Sequence, residues 1–147
     1  MYLLKVRIEQ VAEYWPLFKQ AISSSLPPQE AESQELMTDI LQQLMAGKMQ
    51  AWVAHKKATY PIESVGILTT VIITEPVSRR KSLWIYTLYG WADIPDALYV
   101  AGLETLKTYA KAEGCQQITF YTTNQRIVNI ASQVGIGTEY TFGIVTL

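Results

Sequence analysis

Polar and apolar residues alternate near the start of the chain. In "LLKVRI", Leu4, Val6 and Ile8 stand against Lys5 and Arg7, the period-two pattern of a half-buried strand. The period then lengthens. Val11, Trp15, Phe18 and Ile22 in "QVAEYWPLFKQAISSSL" fall at helical spacing, with Pro16 expected near the helix start, where proline is tolerated. "ESQELMTDILQQLMAG" puts Leu36, Ile40, Leu41, Leu44 and Met45 on a second helical stripe and ends on Gly47, a left-handed cap. Three strand-like runs follow: "MQAWVAHK", "SVGILTTVIIT" and "SLWIYTLYG". The last two are joined by "EPVSRRK", a hairpin tip with Pro76 in the turn. Simple alternation along the third run places Trp84, Tyr86 and Leu88 on one face and Ile85, Thr87 and Tyr89 on the other.

The longest helix is "IPDALYVAGLETLKTYAKAEGC". Asp93 is its expected cap, Pro95 lies in its first turn, and Gly114 stops it. Leu98, Ala101, Leu106, Tyr109 and Ala110 form its buried stripe. Then come a strand, "ITFYT", and a helix, "NQRIVNIASQVG", with Asn124 as N-cap and Ile127, Ile130, Ala131 and Val134 facing in. "TEYTFGIVTL" predicts a closing strand. The order β-α-α-β-β-β-α-β-α-β predicts an α/β (α+β) fold: a mixed, twisted sheet of about six or seven strands with helices on both faces. Right-handed crossover makes the strands of the late strand–helix–strand unit parallel, while the earlier hairpins are antiparallel.

With 147 residues, 49% of them hydrophobic and 17% charged, the chain reads as one globular domain over residues 1–147. The linker-like residues 23–33 are too few to separate two domains. A net charge of −1 offers no global attraction for nucleic acid or an anionic membrane. Lys5, Arg7 and Glu9 interrupt any signal-peptide core, and no apolar run is long enough to span a bilayer. The expected location is the cytoplasm. A single cysteine, Cys115, excludes an intrachain disulfide and a multi-cysteine zinc site. His55, the sole histidine, has no neighbour at metal-ligand spacing, so no metal is expected. Both residues read as structural. Arg79, Arg80 and Lys81 read as a solvated hairpin tip or as a docking patch for an acidic partner.

The element order, together with "TTNQRIVNIASQVGI" and "TYAKAEGCQQITFYT", resembles the GNAT superfamily, the acyl-CoA-dependent N-acetyltransferases. Asn124 stands where that family carries an Asn after its fifth strand, and Val134-Gly135-Ile136 replaces its Leu-Gly-Phe turn. The departures from the family pattern make the chain similar to small GNAT-like proteins of phages and prophages, for which the host cytoplasm or a virion is also an implied location.

The resemblance implies three chemical requirements. The family cradles the coenzyme diphosphate with Gln/Arg-x-x-Gly-x-Gly/Ala, whose glycines allow close backbone approach. Here the junction reads "YGWADIPDAL": Gly90 is early, Pro95 removes a donor, and Asp93 and Asp96 bring negative charge. Like charges a few Å apart cost about 1 to 4 kcal/mol. The family often has a glutamate base on the fourth strand, but "SLWIYTLY" carries no carboxylate. Its acid is often a tyrosine seven residues after the Asn, a position held here by Ala131. The expectation is a degenerate, catalytically inactive or strongly diverged member with no cofactor, which binds a protein or a small ligand through the cleft between the fourth and fifth strands. Trp84, Tyr86, Tyr89 and Trp91 fill or line that cleft, and Tyr140 and Phe142 extend the surface. The alternative is an acetyl-CoA-dependent N-acyltransferase acting on a small amine or a protein amine. It would hold the coenzyme through Leu88, Tyr89, Gly90 and Asn124, with Tyr89 as acid. A third reading is an assembly component, a homodimer or a virion part, pairing through an exposed edge of the last strand.

Overall fold

A computed structural model describes residues 2–25, 34–56, 63–137 and 143–147. The elements are β1 (Tyr2–Lys5), α1 (Ile8–Ser25), α2 (Gln34–Met45), β2 (Met49–His55), β3 (Ser64–Thr74), β4 (Lys81–Gly90), α3 (Asp96–Ala112), β5 (Gln117–Phe120) and α4 (Gln125–Gln133). Their order follows the polar pattern of the chain. The described strands form one five-stranded sheet, β1-β2-β3-β4-β5. The first four are antiparallel to their neighbours, and β5 joins β4 in parallel after the α3 crossover.

Among the described residues there are fewer strands than the pattern predicts. Residues 143–147 form no strand, and their apolar side chains, Ile144, Val145 and Leu147, are exposed rather than seated on the sheet. Tyr140, Phe142 and most of the linker-like stretch lie outside the described residues.

The core has two parts, one on each face of the sheet. On one face α1 and α2 pack Val11, Phe18, Ile22, Met37, Ile40 and Leu44 against Val53 and Ile67. On the other, α3 packs Leu106 and Ala110 against Trp52, Leu68 and Leu83. Burying a large apolar side chain stabilises by about 1.5 to 3 kcal/mol, so these two layers dominate the folding energy.

Two local expectations need correction. β1 buries Leu3 and leaves Leu4 exposed, and the exposed Ile8 already begins α1. Pro16 sits inside α1 rather than near its start, because the helix begins at Ile8. Proline has no N–H for the carbonyl of Ala12, and both residues are exposed, so water can take the freed acceptor. Gly47, Gly114 and Gly135 do close their helices with positive φ, at 74°, 77° and 76°.

Buried side chains bond across β2, β3 and β4. The Trp52 indole donates to Thr70 Oγ1 at 3.0 Å, and Thr70 donates to Gln50 Oε1 at 2.9 Å. Thr69 and Thr87 hydroxyls meet at 2.6 Å. All are buried, so each bond spares a desolvated polar group.

Candidate ligand cleft between β4 and β5

β4 and β5 part company halfway along β4. Their pairing runs from Ser82↔Gln117 to Ile85↔Phe120, where β5 ends, while β4 continues to Gly90. Beyond that rung residues 86–90 of β4 and residues 121–124 after β5 are not paired with each other, and the space between them is the candidate cleft. A bulge lies at the parting point. Thr69 pairs with Thr87 and Thr70 with Ile85, so Tyr86 is the extra residue. A bulge bends and twists its strand, and this one falls where the β4/β5 pairing stops.

The bulge overturns the predicted alternation. Tyr86 and Tyr89 both pack on the α1/α2 face, and Trp84 pairs with Val71 of that same layer. Ile85 packs on the α3 face, and Leu88 pairs with Leu68 of that layer. An even–odd rule cannot place Tyr86 and Tyr89 together, and the inserted residue does so.

Aromatic rings cross the cleft at its base. Trp84 meets Tyr86 edge-to-face at 5.1 Å and Tyr121 at 5.9 Å, which ties β4 to the segment after β5. The Trp84 indole N–H is buried and, among the described residues, has no hydrogen-bond partner. Trp91 turns the other way. Its indole donates to the Ser64 carbonyl at 3.0 Å and its backbone N–H to Val65 at 3.1 Å, both on β3.

In the turn from β4 to α3 Ile94 is buried, while residues 90–93 and 95–97 are exposed. Gly66 and Gly90 face each other across β3 and β4. Ile94, 3% exposed, lies on top: a Cβ built on Gly90 would come 2.9 Å from Ile94 Cδ1. The N-cap of α3 is Pro95 and no side chain caps it, so Asp93 does not play the predicted part. The Asp93 side chain is 97% exposed, 3.9 Å from the Arg126 guanidinium.

Arg126, in the first turn of α4, is the residue that sequence reasoning missed. Its guanidinium reaches across the cleft mouth to Asp96 Oδ1 at 2.9 Å and to Asp93 at 3.9 Å, and it donates to the Ile94 carbonyl. It also lies 5.4 Å from the Tyr99 ring centroid. The hydrogen bond to Asp96 is the main cause holding its pKa above the ordinary arginine value. The two aspartates therefore do not face a ligand unopposed, as the sequence alone implied. The mouth holds two carboxylates and one guanidinium. Arg126 and Asp96 are thirty residues apart, and no helical or strand spacing links them.

The proposed coenzyme contacts are spread along this cleft. Tyr89 is half-buried with its ring 6.4 Å from Trp91, and Leu88 and Gly90 are exposed. Asn124 is the α4 N-cap; its Oδ1 accepts from the backbone N–H of Arg126 at 2.9 Å and of Ile127 at 3.4 Å. Ala131 is buried at 2% exposure. Gly90 is the one glycine of residues 90–96, and Ile94 Cδ1 lies where its Cβ would stand; the Trp91 amide donates to Val65 of β3, Pro95 has no N–H, and Arg126 bonds Asp96.

Elsewhere, His55 is buried at the end of β2 with Ser64 Oγ 3.5 Å from its Nδ1, and desolvation lowers its pKa. Half-buried Cys115 has its pKa raised, chiefly by burial. No three His, Cys, Asp or Glu side chains among the described residues are placed to hold a metal ion, and none of the described helices is long and apolar enough to cross a membrane.

No family model matches the chain, and no curated protein matches it in sequence. Solved structures do match in fold. An aminoglycoside antibiotic 6'-N-acetyltransferase from Acinetobacter baumannii superposes with a TM-score of 0.69 at 11% identity, covering 99% of this chain and 97% of its own. A predicted acetyltransferase from Clostridium acetobutylicum, solved with acetyl-CoA, gives 0.68 at 12% identity over 98% of this chain and 95% of its own. A ribosomal-protein-alanine N-acetyltransferase from Brucella melitensis biovar Abortus gives 0.62 at 12% identity over the full length of both. The chain has the fold that these acetyltransferases share. The fold is shared; at these identities the chemistry is not carried over with it.

Proposed function

We propose that this GNAT-fold chain binds a protein segment or a small ligand in the β4/β5 cleft and does not transfer an acyl group. The observation that carries this reading is the turn itself: Ile94 Cδ1 lies where a Cβ on Gly90 would stand, and Arg126 bonds Asp96 and the Ile94 carbonyl, where the fold would otherwise seat a diphosphate. β4 also carries no carboxylate to serve as a base, and Ala131 stands at the usual acid position. Aromatic rings at the cleft base suit an apolar or aromatic ligand. Isothermal titration with acetyl-CoA tests the reading. It expects no saturable heat at ~0.1 mM ligand, and a dissociation constant near ~1 μM, about −8 kcal/mol, refutes it.

A second reading has its own support. Arg126 offsets part of the charge of Asp93 and Asp96, which lessens the repulsion of an anion, and half-buried Tyr89 stands on the cleft wall. In that reading the chain is an acetyl-CoA-dependent N-acyltransferase for a small amine or a protein amine. Thiol release from acetyl-CoA over an amine panel, lost in Tyr89→Phe, supports it; no release over the panel removes it.

A further inference from the structure

The cleft is bridged at its mouth as well as at its base, and the two bridges differ in kind. At the base, Trp84 and Tyr121 meet ring against ring. At the mouth, Arg126 on α4 holds Asp96 and the Ile94 carbonyl at the start of α3. A guanidinium at the N-terminal end of two helices is in the wrong place for both helix dipoles. Its charge is tolerated there because Asp96, Asp93 and the Tyr99 ring surround it. The capping Asn124 fixes the helix turn that carries it.

We propose that Arg126 is a latch: its contact with Asp96 holds the arm made of α3 and the end of β4 against the arm made of β5 and α4, and the cleft opens when that contact breaks. The contact is suited to this work. The side chains of Arg126 and Asp96 are 45% and 54% exposed, so the pair is accessible to water and salt and is not locked in the core. The fork donates to two different acceptors on the α3 arm, so one side chain fixes both position and angle. Its significance as an entry control rests on the cleft-binding reading, but its existence does not. The test therefore uses the ligand-free protein.

The experiment is amide hydrogen exchange on the full chain, wild type against Arg126→Gln, Asp96→Asn and the double variant. Both single variants should speed exchange about five- to tenfold at residues 96–99 and 124–128 and leave β2 and β3 unchanged, with the double variant no faster than the single ones. In the wild type, raising salt from ~0.1 M to ~1 M shrinks the screening length from ~10 to ~3 Å and should produce the same local speeding. Arg126→Gln should be insensitive to that salt step. A merely packed Arg126, held by Tyr99, would give no effect of Asp96→Asn and none of salt. Unchanged exchange in both segments, or effects that add in the double variant, overturns the latch. The salt arm keeps the proposal testable should a variant fold poorly. Absence of any ligand would then count against the binding reading alone.

Discussion

A methyl group added at Gly66 or Gly90 probes how tightly the turn after β4 is packed. At Gly66 a Cβ would stand 2.8 Å from the Tyr89 carbonyl oxygen and 3.3 Å from Gly90 Cα, both backbone atoms. At Gly90 the nearest atom is the end of a side chain, Ile94 Cδ1, at 2.9 Å. Both glycines lie in strands, where alanine gains about 0.4 to 1 kcal/mol by restricting the unfolded chain. Overpacking costs about 1 to 3 kcal/mol, toward the upper end where backbone must move. Gly66→Ala should therefore lose about 1 to 2 kcal/mol net, and Gly90→Ala should come out near zero. Ile94→Val deletes the obstructing Cδ1 at a cost of about 0.5 to 1.5 kcal/mol. In that background Gly90→Ala should stabilise, by about 0.5 kcal/mol. Urea unfolding followed by tryptophan fluorescence measures all four proteins, with about 3 °C of Tm per kcal/mol as a check. If Gly66→Ala costs no more than Gly90→Ala, or if the Gly90 and Ile94 changes simply add, Ile94 does not pack against Gly90.

Asn124→Ala removes the α4 cap and should cost about 1 kcal/mol, or roughly 3 °C in Tm, while Asn124→Asp, which keeps the acceptor, should restore most of it. His55 is depressed by desolvation in the folded state, so the unfolded chain takes up its proton first. That contribution to stability is intact above the unfolded value of about 6.5 and is lost as pH falls from there through the folded pKa. The single imidazole resonance should titrate below 6.5 in the folded protein, and His55→Gln should flatten the stability slope in that window; a folded midpoint above 6.5 contradicts the burial argument.

Much of the architecture was legible because each element answers to a local rule. Phe18, Ile22, Leu44 and Leu106 fall on helical stripes and are buried where that period places them. Asn124 caps α4 as an Asn before an apolar helical run should. The misreadings share a cause, since each depends on residues distant in sequence. The bulge at Tyr86 shows only in the register with β3, and it moves Tyr89 to the α1/α2 face. Asp93 had the chemistry of a cap, yet α3 starts two residues later than that cap would require, with Pro95 at the cap position. Of the strand expected of "TEYTFGIVTL", only residues 143–147 are described; strand formation needs a neighbour, and these residues lie exposed without one in the described sheet.

The threonines at the centre of the sheet have a consequence beyond β3. A slip of β2 against β3 by a single residue would pull Thr70 away from Gln50 and Trp52, and a slip of β4 would part Thr87 from Thr69. Each misalignment would strand hydroxyl or amide groups in a dry interior at about 1 to 3 kcal/mol apiece. Hydroxyls two strands inward thus act as an alignment key, and they decide from a distance which peptide of β4 is the last to lie beside β5.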